Sequence, residues 1–143
     1  MLIKQLSVFL ENEPGRLLAV TEKLAENDID ICALSLADTS NFGILRMIVN
    51  KPDEAVAILK ETGVIVRLTD VAVVGMDDVP GGTVKILKTI SEAGLSIEYL
   101  YASVGRGSGK AFMVMRMDDM EKARFVLENS DFIRLNPADI YRL

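Results

Sequence analysis

The sequence predicts an α+β fold made of two copies of one βαββαβ unit, and three observations lead to that prediction. An apolar run that ends in a short acidic turn and Pro-Gly occurs twice, at Leu6–Gly15 and Ala72–Gly81, and the two copies are 66 residues apart. Self-similarity at one spacing indicates an internal repeat. Strand-like and helix-like segments alternate in the same order in both halves. Half of the residues are apolar, which is typical of a packed core.

The elements of the first copy follow from periodicity and from the residues that begin or end them. Apolar residues recur at helical spacing after Pro14-Gly15. Proline and acidic residues open the second helix, and glycine ends it. The predicted order is strand, helix, strand, strand, helix, strand: Leu2–Leu10, Arg16–Asn27, Asp28–Asp38, Gly43–Asn50, a helix from Pro52 that ends at Gly63, and Val64–Leu68.

The second copy is predicted to repeat this order. The spacing of 66 also relates Ile31 to Ile97 and Met47 to Met113. The order is that of the split-βαβ, ferredoxin-like unit, in which both helices cover one face of an antiparallel four-stranded sheet. We expect repeats at residues 1–70 and 71–143 with almost no linker. The predicted elements of the second copy are Val71–Met76, Thr83–Ala93, Ser96–Val104, Lys110–Met117, Met120–Asn129 and Phe132–Tyr141.

The second strand of each copy, at Ile29–Ala37 and Ser96–Val104, is predicted to lie on a sheet edge. Both strands are apolar and carry little charge. An unprotected apolar edge tends to pair with another strand, and a unit of about 70 residues is marginally stable alone. We therefore expect the sheets to pair edge to edge, either within the chain or across a homodimer.

Composition excludes several classes of function. The net charge is −5 and the basic residues are scattered, so no nucleic-acid partner is expected. The absence of histidine removes the commonest general base and transition-metal ligand. We therefore expect no enzyme activity, catalytic residues, metal or cofactor. The single cysteine, Cys32, fits a reducing compartment as a buried thiol. With no leader and no long apolar run, the sequence predicts a cytoplasmic protein with no membrane partner.

The repeated turn has the chemistry of a receptor for an amino acid. Gly15 lets a ligand approach the backbone, and the first amides of the following helix suit a carboxylate. Asn12 can donate and accept hydrogen bonds, and across a paired edge Asp30 could meet an ammonium group. The alternative is a plain helix start with proline in its first turn, which is common. Because the turn occurs twice at the same position of the repeat, the ligand site is favoured over this alternative.

The segments Val8–Leu17 and Asn27–Ile31, with the apolar helix between them, resemble an ACT domain. ACT domains are small amino-acid-binding regulatory modules, and this chain resembles a tandem pair of them over nearly its whole length. The resemblance implies that the amino acid lies between two paired domains. One wall is the turn after the first strand, and the other is the start of the neighbour's second strand.

The resemblance assigns a main site to the first copy and a weaker one to the second. In the second copy Gly82-Thr83 replaces Arg16-Leu17, and Asp78 replaces Asn12 and would repel a ligand carboxylate. Because both turns are acidic, the predicted amino acid has a neutral or cationic side chain. The main site comprises Leu10, Asn12, Glu13, Pro14, Gly15, Arg16, Leu17, Asp30 and Ile31. The weaker site comprises Met76, Asp78, Gly81, Gly82, Ser96 and Ile97.

Two functions remain open from the sequence. The first is a stand-alone regulatory or sensor protein whose bound amino acid stabilises one arrangement of its domains and signals to another protein, such as a metabolic enzyme. The second is a ligand-free oligomerisation or interaction subunit of a metabolic enzyme complex. Ligand screening separates them.

Overall fold

The computed structural model describes residues 1–39, 41–104 and 110–141, and within these ranges the chain forms six strands and five helices. The predicted α+β fold class is confirmed. Each helix in these ranges is too short or too polar to traverse a lipid bilayer. In chain order the elements are β1 (Leu2–Glu11), α1 (Arg16–Glu26), β2 (Ile31–Asp38), β3 (Phe42–Val49), α2 (Pro52–Glu61), β4 (Ile65–Asp77), α3 (Gly82–Glu92), β5 (Ile97–Val104), β6 (Lys110–Met117), α4 (Met120–Glu128) and α5 (Pro137–Tyr141).

The chain divides into two compact units, and each unit takes a short segment from the opposite end of the chain. One unit contains Lys4–Thr69 together with Tyr141, and the other contains Met1–Ile3 together with Asp70–Ile140. The strands predicted at Val64–Leu68 and Val71–Met76 are one uninterrupted strand, β4. Neither glycine nor proline separates them, and the β-branched residues around the junction favour extended backbone. The assignment of separate domains to residues 1–70 and 71–143 stays a prediction.

The Lys4–Thr69 unit has the strand order β2-β3-β1, with antiparallel pairing between neighbours. Met47 of β3 lies opposite both Leu6 of β1 and Leu34 of β2. The core-facing residues alternate along β1 and β3, so they lie on one face of the sheet. The buried residues of α1 and α2 belong to the same core, so these helices cover that face. This core comprises Leu6, Val8, Leu10, Val20, Leu24, Ile29, Leu45, Met47, Val49, Ala55, Leu59 and Val66.

The Asp70–Ile140 unit repeats this plan with the order β4-β6-β5. Its β6 residue Met115 lies opposite Ala72 and Leu100, as Met47 lies opposite Leu6 and Leu34 in the first unit. The predicted equivalence of Met47 and Met113 is therefore wrong. The connection between β5 and β6 is longer than that between β2 and β3, and this shifts the repeat spacing from β6 onward.

The predicted strand Phe132–Tyr141 is wrong as well. The structure forms one isolated bridge there, between Ile133 and Gly75, and then the short helix α5. Pro137 lacks the amide that a ladder needs. The side chain of Asn136 accepts from the amide of Asp139 at 2.9 Å, and the side chain of Asp139 accepts from the amide of Asn136 at 2.9 Å. This reciprocal capping is a helix-start signal in the sequence.

Candidate functional site

Gly15 shapes the turn between β1 and α1. Its φ of 82° is left-handed, and no side chain caps the helix that follows. The amide of Arg16 donates to the carbonyl of Glu13 at 3.4 Å, and that of Ala19 donates to Gly15 at 2.9 Å. The amides of the first helical turn have no acceptor within a helix, and no acidic side chain lies in this turn of α1. The helix start therefore suits an external anionic group.

The turn between β4 and α3 shares the left-handed glycine and the uncapped helix start with the first turn. Gly81 has a φ of 82°, and α3 also lacks a side-chain cap and an acidic residue in its first turn. By contrast, α4 begins with Asp119, whose side chain accepts from the amide of Lys122 at 2.9 Å. An uncapped, left-handed glycine start is therefore a feature shared by the first helices of the two repeats.

The side chain of Asn12 is held by the end of β2. Its Nδ2 donates to Oδ1 of Asp38 at 3.0 Å and to the carbonyl of Thr39 at 3.3 Å. Gly43 lies beside the remaining oxygen, because a Cβ there would lie 3.5 Å from Oδ1 of Asn12. Both amide hydrogens are thus engaged, and Asn12 offers Oδ1 as an acceptor. This group suits a ligand ammonium better than a ligand carboxylate.

Arg16 lies over the acidic turn. Its guanidinium is 3.2 Å from a carboxylate oxygen of Glu11 and 3.1 Å from one of Glu13. These ion pairs are exposed and contribute at most about 1 kcal/mol to stability. Two carboxylates and one guanidinium leave the turn with a net negative charge. The preference for a ligand with a neutral or cationic side chain, inferred from the sequence, therefore also holds when Arg16 is counted.

Three of the predicted residues point into the core. Leu10 is buried, and Leu17 and Ile31 pack against the core of the Lys4–Thr69 unit. Their side chains fix the positions of the strand end and of the helix start. They can contribute to a ligand site only through backbone groups.

Asp30 lies at the far end of its unit from Asn12. Its amide donates to Oδ1 of Asn50 at 3.0 Å, and its carbonyl accepts from the amide of Asn50 at 3.2 Å. The whole of β2, about 25 Å of extended chain, separates Asp30 from Asp38, which Asn12 contacts. Within one unit, Asp30 cannot join Asn12 in a single small-molecule site.

The start of β5 repeats this arrangement. The amide of Ser96 donates to Oδ1 of Asp118 at 3.0 Å, and the amide of Asp118 donates back to the carbonyl of Ser96 at 3.1 Å. Asn50 and Asp118 were not predicted from the sequence. Asn50 directly follows β3, which pairs with β2, and Asp118 directly follows β6, which pairs with β5. A polar residue at the end of the partner strand is the signal that could have found them.

A groove of about 230 Å³ runs along the second turn. Met76, Gly81 and Gly82 line it as predicted, whereas Asp78, Ser96 and Ile97 are not among the residues that line it. Sequence reasoning missed Lys85 of α3, whose Nζ donates to the carbonyl of Asp131 at 2.7 Å and lies 5.5 Å from the centre of the Phe132 ring. Lys85 places a cation beside an acidic turn. Its position one helical turn after Gly81 was the available signal.

In the part of the chain that the structure describes, no three His, Cys, Asp or Glu side chains are grouped so as to hold a metal ion. The single cysteine, Cys32, is buried, as predicted for a thiol that fills the core. The two turns therefore offer amides, carboxylates and single cations as their chemistry. Groups of this kind form hydrogen bonds and ion pairs with small polar molecules.

Residues 1–140 match a family model described as an ACT domain pair. Protein BT0572 from Bacteroides thetaiotaomicron is 41% identical, with a TM-score of 0.91 over 100% of this chain and 98% of that one. The ligand-free regulatory subunit of aspartate kinase from Thermus thermophilus is 18% identical, with a TM-score of 0.66 over 90% of this chain and 91% of that one. The corresponding subunit from Thermus flavus is 18% identical, with a TM-score of 0.62 over 90% and 92%. At that identity the likeness shows the fold. No curated protein matches the chain.

Proposed function

This chain belongs to the ACT domain pair family, and from that premise we propose that it is a regulatory protein that binds an amino acid. The observation that carries the proposal is the repeated helix start, in which Gly15 and Gly81 adopt the same left-handed φ of 82° and leave α1 and α3 uncapped. Such a start offers backbone amides to a carboxylate. No catalytic role is proposed for any residue.

The first turn is the main site of the proposal. The ligand carboxylate lies on the helix-start amides after Gly15, among them that of Leu17, and the ligand ammonium lies against Oδ1 of Asn12. The engagement of both Asn12 amide hydrogens supports this polarity. Glu13 and Pro14 fix the turn, since the carbonyl of Glu13 accepts from Arg16.

In this proposal Asp30 comes from a second ACT domain, because within its own unit it lies at the other end of β2. The position of β2 at the edge of its sheet supports a homodimer. In the residues described, β2 pairs with β3 alone, and Leu34 and Leu36 on it are each 51% exposed. An apolar strand edge of this kind favours pairing with another strand.

The ligand has a neutral or cationic side chain. Two glutamates surround the first turn and one arginine partly offsets them. At the second turn Lys85 is engaged by Asp131, so the acidic residues there are also only partly offset. A second ligand carboxylate would be repelled at either turn.

The output of binding goes to another protein. A ligand that contacts two domains favours the arrangement in which both contacts are made, and this differential affinity drives the switch. We propose a cytoplasmic protein that acts on a metabolic enzyme. The exposed edge of β2 also supports an alternative, a subunit that joins a complex without any ligand.

Thermal unfolding in the presence of each of the twenty amino acids tests the proposal. A ligand at a hundred times its dissociation constant adds about 2.7 kcal/mol to the free energy of unfolding, which is a clear rise in melting temperature. We expect a neutral or basic amino acid to give the largest shift. A panel without any shift would overturn amino-acid binding in favour of the ligand-free subunit, and the largest shift from aspartate or glutamate would refute the proposed charge preference.

The variant Asn12→Ala is expected to weaken binding of the responding amino acid at least about tenfold, since a hydrogen bond to an ammonium is lost. The free energy of unfolding of the unliganded protein should stay within about 1 kcal/mol of the original, because Asn12 is exposed. Isothermal titration calorimetry and denaturant unfolding measure the two effects. Asp78→Ala, at the equivalent position of the second turn, is the matched control and should leave the affinity unchanged. Equal affinity in the Asn12 variant would place the site elsewhere.

A further inference from the structure

A second cavity of about 480 Å³ lies within the Asp70–Ile140 unit, apart from the turn of the first repeat. Its walls come from Met1 and Leu2, from β4, from the last turns of α4 and from the segment that follows α4. This volume falls in the range of small-molecule sites in proteins. The amino-acid site proposed at the first turn uses none of these residues, whereas Phe132 and Ile133 also line the groove beside the second turn.

The segment after α4 bounds the cavity without forming a regular strand beside β4. The chain after α4 meets β4 in a single bridge between Ile133 and Gly75. A Cβ at Gly75 would lie 2.9 Å from the Cβ, Cγ2 and carbonyl oxygen of Ile133, so the close approach at the bridge depends on the missing side chain of Gly75. Val73 and Val74 line the cavity, and the amide of Val73 donates to the carbonyl of Met1 at 2.9 Å.

The cavity combines an apolar floor with a cationic rim. Leu127, Phe132 and Leu135 line it together with the two valines. At the rim, Nε of Arg124 donates to Glu128 at 2.9 Å, and this hydrogen bond raises the pKa of Arg124 above its ordinary value.

Arg134 adds a positive charge to the rim, where the Met1 ammonium donates to the carbonyl of Val73 at 3.4 Å. It is exposed and lines the cavity, and it has no ion-pair partner among residues 1–39, 41–104 and 110–141. With Arg124 and Glu128 neutralising each other, Arg134 and the Met1 ammonium leave the rim positive. A guanidinium in this setting pairs with a carboxylate through two parallel hydrogen bonds.

We propose that this cavity binds a small carboxylic acid with a branched or aromatic apolar tail and without an amino group. The tail lies on the floor of valine, leucine and phenylalanine side chains, and the carboxylate lies against Arg134. An ammonium group on the ligand would gain nothing from the positive rim. This chemistry separates the cavity from the turn, which offers an acceptor for an ammonium group.

Methyl NMR with 4-methylpentanoate as the probe tests the inference, because this acid is leucine without its amino group. Saturable shifts are expected for the methyl groups of Val73, Val74, Leu127 and Leu135. The neutral analogue 4-methylpentan-1-ol should bind at least about tenfold more weakly, since it lacks the charge-assisted hydrogen bonds. Shifts confined to the first turn would overturn the cavity site without touching the proposed function, and so would equal binding of the alcohol.

Two charge variants are expected to act in opposite directions. Arg134→Gln should weaken binding of 4-methylpentanoate about tenfold or more, whereas Glu128→Gln should tighten it about twofold, since an exposed anion is removed from the rim. Arg67→Gln, an exposed arginine of the other unit, is the matched control and should not change the affinity. Unchanged affinity in Arg134→Gln, or tightening in it, would overturn the inference.

Discussion

Replacing Gly82 by alanine is expected to lower the free energy of unfolding by about 3 kcal/mol and the melting temperature by about 10 °C. Gly82 is the first residue of α3, and its amide donates to the carbonyl of Val79 at 2.9 Å. A Cβ at this position would collide with the carbonyl oxygen of Asp77. That oxygen belongs to the backbone, so the turn itself must move.

Helix propensity alone would predict the opposite change, an increase in the free energy of unfolding. In an open helix, exchanging glycine for alanine stabilises by about 0.5–1 kcal/mol. Position 16 of the first repeat is the matched site, since Arg16 is the first residue of α1 there. Arg16→Ala should change the free energy of unfolding by less than about 1 kcal/mol, because only exposed ion pairs are lost. Denaturant unfolding of both variants measures the change in the free energy of unfolding. A Gly82→Ala protein more stable than the original would contradict the turn geometry.

The variant Met115→Ala is expected to lower the free energy of unfolding by about 3–4 kcal/mol. Met115 is fully buried, lies between Ala72 and Leu100 in the sheet, and belongs to the core of the Asp70–Ile140 unit. Truncation removes apolar contacts and leaves a cavity that the surrounding helices and strands can close only in part. Urea or guanidinium titration followed by circular dichroism measures the loss.

Met115→Leu is the control for volume, because leucine and methionine differ little in size. It should cost less than about 1.5 kcal/mol. A spacing of 66 would match Met115 to Val49, whereas the strand register makes it the counterpart of Met47. If Met115→Ala proved as stable as Met115→Leu, the register of β6 would be in error.

Local features of the chain were predictable because a few neighbouring residues determine them. Pro-Gly followed by an apolar helical repeat predicted the start of α1 near Arg16, and glycine at positions 15 and 81 has the left-handed conformation that such a turn needs. The helix at Pro137–Tyr141 is the exception, since its Asn136–Asp139 capping pair was also local and was overlooked.

The candidate site was predictable only in part, since its side chains meet across long sequence separations. Asn12 is oriented by Asp38, 26 residues away, and Lys85 meets Asp131 across 46 residues. No pattern within a window of the sequence contains either pair. The separation of Asp30 from Asn12 likewise follows from strand direction, because β2 runs its full length between them.

The sequence by itself determined the repeated α+β unit, the two glycine turns and membership of the ACT domain pair family, because each depends on local periodicity or on a motif. The tertiary structure decided which group Asn12 offers, which residues line the groove beside Gly82, and where the open cavity of the second repeat lies. These features depend on packing between segments distant in the chain. Their energies come from long-range contacts, and a local pattern does not record such contacts.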